Sequence, residues 1–531
     1  MVRQSRERQE GVTVARQKNN TLRAYEQIPY ALIKEEVDDF ASFINEMSEI
    51  IEFYKIYHEG AFFQPEGTNG DYVAAGLRYK MAASLINKEA RFLFAEPPTI
   101  TVNPKGDVGQ LSNETKDAIT TLNDLVKTIL DKNKFEDKLL KGAKDCFIGK
   151  RLAIMVNWNA EDGVTISFLP ATKFVYETRL GNDNILEKFV AFVTLKESLS
   201  LSDRRVFRKR YTLEDGVVYL EEEIFDGAGN SVEEVTTRMQ LDIDFIPAVV
   251  LLNDGLVDDL DGESEIDGQE DYEAWFSKLS NADIDSGRKN MNAITYTADM
   301  DNASTANLKR APGAHWDLGT DQNLASAKPS VGIIESSMNY SEPLKNTLDR
   351  IKSTAYEQLD IPNVTLESLQ GAITSGKGLK AIYWPLIIRC KEKMKMWGPQ
   401  ISSLVNMIIQ GCYIYEEITS LYTDATMPHI QYEVDVEQNL PLPEDEAEQK
   451  AIMLSEVAGN VISRRKYLKD NYSLTDEEAL DELKQMALEN ELLNASAALT
   501  PPVDRSDVQS NAEDEVDEDE INPEDEPLEE E

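Results

Sequence analysis

The spacing of apolar positions divides the chain into helical and strand-like stretches. Between residues 20 and 60, Ile28, Leu32, Ile33, Val37, Phe40, Phe43, Ile44 and Met47 recur at helical spacing among acids, which predicts helix. A loop with Pro65, Gly67, Asn69 and Gly70 follows. A second amphipathic helix is expected from Tyr72 to about Phe94, with Leu77, Met81, Leu85, Ile86, Ala90 and Leu93 on one face, stopped at Pro97-Pro98. A third is expected from about Lys116 to Asp145 on Ile119, Leu122, Leu125, Val126, Ile129 and Leu130.

The period changes between Arg151 and Leu252. Short β-prone runs (152–157, 164–169, 189–195, 206–211, 217–224) alternate with turn pairs such as Asp162-Gly163, Gly181-Asn182, Asp215-Gly216 and Asp226-Gly227, which predicts antiparallel hairpins. The run Phe245–Leu252 closes this region. An acidic, glycine-punctuated loop spans 254–268, and a helix is expected from Gln269 to about Asn290. Residues 292–340 are irregular and polar. Leu344, Leu348, Ile351, Ala355 and Leu359 then mark a helix from Ser341 to near Pro362. A long helix is expected from Lys377 to about Ile414, kinked at Pro385, because proline removes a backbone donor and crowds the preceding turn. Helices over 444–470 and 475–497 follow, the second opened by a capping-box pattern at Thr475–Glu478. Residues 501–531 are mostly Asp, Glu, Pro and Ser. They cannot bury enough apolar area to offset ordering entropy, so a disordered acidic tail is expected there.

Composition sharpens this outline. At 531 residues the chain exceeds one compact core, so several subdomains are expected, with a predominantly helical α+β fold. No apolar stretch approaches a membrane span and the N-terminus lacks a secretory signal. Three scattered cysteines, Cys146, Cys390 and Cys412, suit a reducing cytoplasm. The balance of 97 acidic against 54 basic residues, a net charge of −43, is the unusual figure, since a simple duplex-DNA binder presents a basic patch.

Candidate chemistry is sparse. Residues 371–378 read GAITSGKG, close to the phosphate-binding pattern, but Gly378 lacks the metal-holding hydroxyl and no strand leads in; a loop entering a helix is the better reading. His58, His315 and His429 have no partner at zinc-ligand spacing. The acidic loop fails the calcium-loop spacing and reads as solvated, with weak divalent binding left open. Trp384 and Trp397, beside Tyr383, Met394 and Met396, read as helix packing or a subunit contact ahead of a nucleic-acid stack. No catalytic centre, cofactor site or metal site is expected.

Four stretches in this order resemble the portal family of long-tailed bacteriophages that infect Gram-positive bacteria: KMAASLINKEARFLFAEPPTITV (80–102), DFIPAVVLLND (244–254), LKNTLDRIKSTAYEQLDIPN (344–363) and LQGAITSGKGLKAIYWPLIIRCKEKMKMW (369–397). The last, a Ser-Gly opening a long helix that reaches a tryptophan, is the most specific.

The resemblance implies a wing over 1–250, helical at 20–145 and β-rich at 151–252, then an acidic loop and first stem helix over 254–291. It implies a clip over 292–340, a second stem helix over 341–361 and a tunnel loop over 362–376. A kinked long helix with inner wing would cover 377–440 and a helical crown 441–500, ahead of the tail. It implies a ring, typically a dodecamer, at one capsid vertex of the virion, made in the host cytoplasm. The ring would conduct double-stranded DNA during packaging and ejection. Its implied partners are terminase, the major capsid protein, scaffolding protein and head-tail adaptors, with no membrane partner and no enzymatic activity of its own. Thr365, Leu366, Glu367, Ser368 and Gln370 of the tunnel loop, with Lys345, Arg350, Lys352 and Lys377, are the implied DNA-channel residues. For each basic residue an intersubunit ion pair is an equal alternative. The net charge fits a conduit that must not grip its cargo, because every phosphate contact adds affinity and so friction. A competing class is an acidic, non-enzymatic adaptor or chaperone for basic proteins, supported by the acidic tail. An ATPase built on Lys377 is a weaker third.

Overall fold

The computed structural model describes Ile28 and residues 30–497 apart from 66–72, 106–111, 197–201, 257–260, 292–293, most of 303–327, 335–338, 365–375, 424–429, 442–445 and the single positions 460, 473 and 475. The acidic tail, the capping Thr475, and His315 and His429 lie outside the described residues.

The first three expected helices are divided or shortened. The first becomes α1 (Tyr30–Lys34) and α2 (Phe40–Glu59), with the Asp39 carboxylate capping the second by accepting from the Ser42 N–H. The expected helix from Tyr72 starts only at Met81 (α3, Met81–Phe94), and Val73–Lys80 is extended. After β1 (Thr99–Pro104), the third resolves into α4 (Asn113–Lys132) and α5 (Phe135–Gly149). Lys134 breaks it at φ 50°, and the Asn133 side chain both donates to the Ile129 carbonyl of the helix it ends and bonds the Val164 carbonyl and the Ile166 N–H across to β3. Tertiary hydrogen bonding overrides helical period at each break.

The β-rich region is two antiparallel sheets. Strand β2 (Arg151–Asn159) pairs with β3 (Gly163–Pro170) on one side and with β9 (Ala248–Leu252) on the other. A five-stranded meander runs β4 (Phe174–Arg179), β5 (Asn182–Lys196), β6 (Arg205–Glu214), β7 (Val217–Asp226) and β8 (Ser231–Gln240). Asp215-Gly216 takes positive φ at both residues, the geometry of a tight hairpin turn between β6 and β7. Helix α1 covers this sheet with Leu32 and Ile33 against Val190, Phe192, Val206 and Phe225. Glu36, fully buried, anchors the cover to the sheet: Arg208 and Arg210 donate to its carboxylate and Lys188 lies 3.5 Å away.

Downstream lie α6 (Gln269–Met291), a hairpin of β10 (Ile294–Ala298) and β11 (Ser330–Ile334), and α7 (Ser341–Gln358), which packs along α6. The expected long helix is interrupted at Tyr383 into α8 (Gly376–Ile382) and α9 (Trp384–Ile414). Pro385 therefore sits in the first turn of α9 and not inside a helix. There its missing N–H costs nothing, since first-turn donors have no intrahelical acceptor. The interior proline is Pro399. After the short α10 (Glu416–Thr419), β12 (Tyr432–Glu437) returns to pair antiparallel with β1.

The main core forms where α2, α3, α5 and α9 meet the β2 sheet, around Ile50, Leu85, Ile86, Phe147, Ile154 and Trp397. The Trp397 ring meets Phe94 edge-on at 5.0 Å and is buried, as helix packing requires, whereas Trp384 is exposed. Gly411 lets α9 approach β2, for a Cβ there would collide with the Trp158 indole. All three cysteines are buried, and burial pushes the Cys412 thiol up to about 11. These form one compact unit ending at Pro443. A second unit holds α11 (Glu446–Ala458), α12 (Arg464–Tyr472) and α13 (Asp476–Ala497), the expected 444–470 helix being broken after Ala458.

Candidate functional site

Two polar constructions tie distant segments of the first unit together. The first is a stripe on α6. Glu273, Ser277, Asn281 and Asp285 recur every four residues and all are buried. Against them lies the extended segment leading into α3. The Ala82 N–H donates to Glu273 Oε2 at 2.6 Å, Tyr79 N–H to Ser277 Oγ at 3.1 Å, Leu77 N–H to Asn281 Oδ1 at 2.9 Å and Ala75 N–H to Asp285 Oδ2 at 3.0 Å. Asn281 also returns a hydrogen bond from Nδ2 to the Leu77 carbonyl at 2.6 Å, and Glu273 Oε1 accepts from the Ala61 N–H at 2.8 Å. The match is metric. Four residues of helix rise about 6 Å, and two residues of extended chain span roughly 6.6 Å. A helix with acceptors at every fourth position thus pairs with one edge of an extended chain as a neighbouring strand would. That is why 73–80 is a strap instead of a helical turn.

The second construction is a buried charge network. Glu89, on the otherwise apolar face of α3, accepts from Arg389 Nε at 2.8 Å. Arg389 Nη2 also reaches Glu265 Oε2 at 2.5 Å. Lys393, one turn further along α9, donates to Glu265 Oε1 at 2.5 Å, to Asn253 Oδ1 at 2.7 Å and to Asp254 Oδ2 at 3.3 Å, with its ammonium over the Phe147 ring. Glu89, Glu265 and Lys393 are all buried. The network ties α3, the acidic loop before α6 and helix α9 at one point. Burial, reinforced by the nearby Glu265 charge, pushes the Glu89 carboxyl up to about 7. Lys393 and Arg389 outweigh burial at Glu265 and hold that carboxyl below its usual range. A polar cavity of about 310 Å³ opens beside the network, walled by Asp254, Glu263, Gln269, Gln358 and Arg389. The acidic loop is thus not simply solvated: Glu265 is one of the most buried acids of the chain. Among the described residues, no group of side chains is arranged to hold a metal ion.

The sequence-derived channel residues are not brought to one place by anything the structure describes. Lys345 and Arg350 are exposed on α7, and Lys352, half-buried there, points its ammonium at the Tyr356 ring from 5.9 Å. Lys377 lies in α8. Thr365, Leu366, Glu367, Ser368 and Gln370 fall outside the described residues, as does 371–375 of the GAITSGKG stretch. Sequence reasoning missed Glu89, Arg389 and Lys393. Their signal was available: an acid among Leu85, Ile86, Ala90 and Leu93, and two cations one turn apart among Leu386, Ile387, Cys390, Met394 and Trp397.

The first unit is thus a mixed helix-and-sheet body with a pair of long packed helices joined through a two-stranded β-ladder and a long helix interrupted at Tyr383. The model for the phage portal protein family, SPP1 Gp6-like, matches residues 39–492, and the chain belongs to that family. Among curated proteins, none matches the chain. No helix among the described residues is long and apolar enough to cross a membrane.

Proposed function

We propose that this chain forms the ring-shaped channel at one vertex of a tailed-phage capsid. In this role it conducts double-stranded DNA inward during packaging and outward at ejection, and works without catalysis of its own. The family match over 39–492 is the observation that carries this reading. The α6–hairpin–α7 arrangement supports it. In this assignment α6 and α7 are the stem, 292–340 the clip, 362–376 the tunnel loop, α8 and α9 the interrupted helix behind it, and 441–500 the crown. Residues 1–250 form the outer wing. The clip receives the terminase, which supplies the ATP energy, and later the head-tail adaptors; capsid and scaffolding proteins surround the wing. The host is a Gram-positive bacterium.

Lys345 and Arg350 are the exposed cations of the second stem helix and meet the phosphates in the channel. Twelve copies would carry a charge on the order of −500, so contact with DNA is confined to a few such rings. Deletion of residues 364–374 tests the tunnel loop. Ring assembly is expected to survive while packaging or retention of DNA fails; normal packaging by the deletion mutant would refute the assignment.

A further inference from the structure

The sheet β3-β2-β9 has two edges, and the chain treats them differently. Along β3, side chains stand where a fourth strand would. The Val164 N–H donates to the Tyr422 hydroxyl, and the Val164 carbonyl accepts from Asn133 Nδ2. The Ile166 N–H donates to Asn133 Oδ1, and the Ile166 carbonyl accepts from Lys138 Nζ. The β9 edge has no such cover among the described residues. The Asn253 N–H donates to the Lys150 carbonyl and the Val156 N–H to the Pro247 carbonyl, which sets the alternation: Val249 and Leu251 bond β2, while Val250 and Leu252 turn their N–H and C=O groups outward. Those outward groups have no hydrogen-bond partner among the described residues. β9 lines a groove of about 860 Å³, shared with Val175–Thr178 of β4, the edge strand of the five-stranded sheet. Arg151 also lines the groove, and its Nε is buried without an acceptor among the described residues.

Unmet donors and acceptors along one strand edge are what an extended peptide backbone satisfies by adding a strand. Left bare, such an edge is a template for wrong pairing, which proteins cover. We propose that this groove holds the chain's own N-terminal segment, with Val12-Thr13-Val14 paired as a strand on β9. Position and sequence choose that occupant. Ile28 is buried in the cluster that contains Val175 and packs against Val37 and Phe43, and all three of these line the groove, so the segment before Ile28 leaves from beside it. Fourteen residues separate Val14 from Ile28, an extended reach of up to about 46 Å, against about 17 Å for the five residues of β9. Residues 1–27 contain no proline, and Val12-Thr13-Val14 is their one β-branched run. Val12 and Val14 share one face of such a strand, and Val175, Val250 and Met396 give the groove an apolar wall to meet it.

Hydrogen exchange of the full chain at monomeric concentration, against a variant lacking residues 1–27, tests this. The Val250 and Leu252 amides should exchange at least about tenfold faster in the deletion variant, while peptides of α3 and α9 stay unchanged. Val12→Asp/Val14→Asp in the full-length chain should have the same effect, and a synthetic peptide of residues 8–19 added to the deletion variant should restore the protection. Equal exchange of Val250 and Leu252 in all three chains would overturn the docking. Protection that rises with chain concentration would give the groove to a second copy's segment and would equally overturn it. The docking does not depend on ring formation, so its failure leaves the channel reading standing.

Discussion

Lys393 is a structural charge: its ammonium is almost fully buried and faces Glu265, Asn253, Asp254 and Glu89. Removing one partner of a buried ion pair leaves an uncompensated charge, at a cost of about 3–5 kcal/mol. Lys393→Met is expected to lower unfolding stability by roughly that amount in urea titration, and a loss under about 1 kcal/mol would mean the network is not load-sharing in this way. Glu89 gives the network a pH dependence. Its folded pKa lies above the free value of 4.5, so protonated Glu89 contributes stability that is complete below about 4.5 and is lost as pH rises through about 7. Glu265 acts in the opposite sense: its lowered pKa contributes stability above the free value that is lost on acidification through the folded one. Glu89→Gln should therefore flatten the decline in stability between pH 5 and 7 and leave the acid limb unchanged, measured by denaturant midpoints at matched ionic strength. An identical slope in the variant would show that Glu89 does not take up that proton. These residues were visible in the sequence as charges on apolar faces. Their pairing was not, because Glu89 and Arg389 are separated by 300 positions and only the fold brings them within hydrogen-bond distance.

The strap and the α6 stripe set the limit of legibility at the scale of elements. Helical period correctly marks 81–94, which buries an apolar face along its length, and 341–358, which buries Ala355 and Tyr356 near its end, whereas 269–291 buries a polar stripe. It fails at 73–80 because the polar side chains that compete for that backbone lie two hundred residues away, on α6. It also fails at Pro385, where proline opens a helix instead of bending one. Asn281 is the pivotal residue of the strap, since it satisfies both the N–H and the carbonyl of Leu77. Asn281→Ala would leave two backbone groups short of partners, a destabilisation of about 1–3 kcal/mol. The Leu77 amide should exchange faster in that variant by at least about tenfold, while the α9 core stays protected. Unchanged exchange at Leu77 would mean the stripe does not hold the strap. Ser277→Ala should have a smaller effect, as it removes a single acceptor for one N–H.

For the molecule as a whole, much of the order of elements was legible in the sequence, but β4, β8, β12 and the β10/β11 pair inside the stretch read as irregular were not, and neither was the wiring between elements. The α+β class and the hairpin-rich block at 151–252 follow from hydrophobic period and turn residues, and the helix at 341–358 from its apolar spacing, whereas the pairing of 269–291 with 341–358 was implied by the family resemblance alone. The return of β12 to β1 follows from neither, because a two-stranded pairing across more than three hundred residues leaves no local mark. Charge is a property of this scale too. A net −43 per copy disfavours a protein that grips DNA and suits one that lets it pass, so binding of linear duplex to purified rings should be weak at physiological salt. Tight binding at physiological salt would contradict the conduit. The most direct test of the channel is the mass and shape of the purified full chain, by light scattering and negative-stain microscopy on the same sample. The account predicts rings with a central hole and a mass near a dozen times the 59.8 kDa chain. A compact dimer without a hole would contradict it and favour an acidic adaptor.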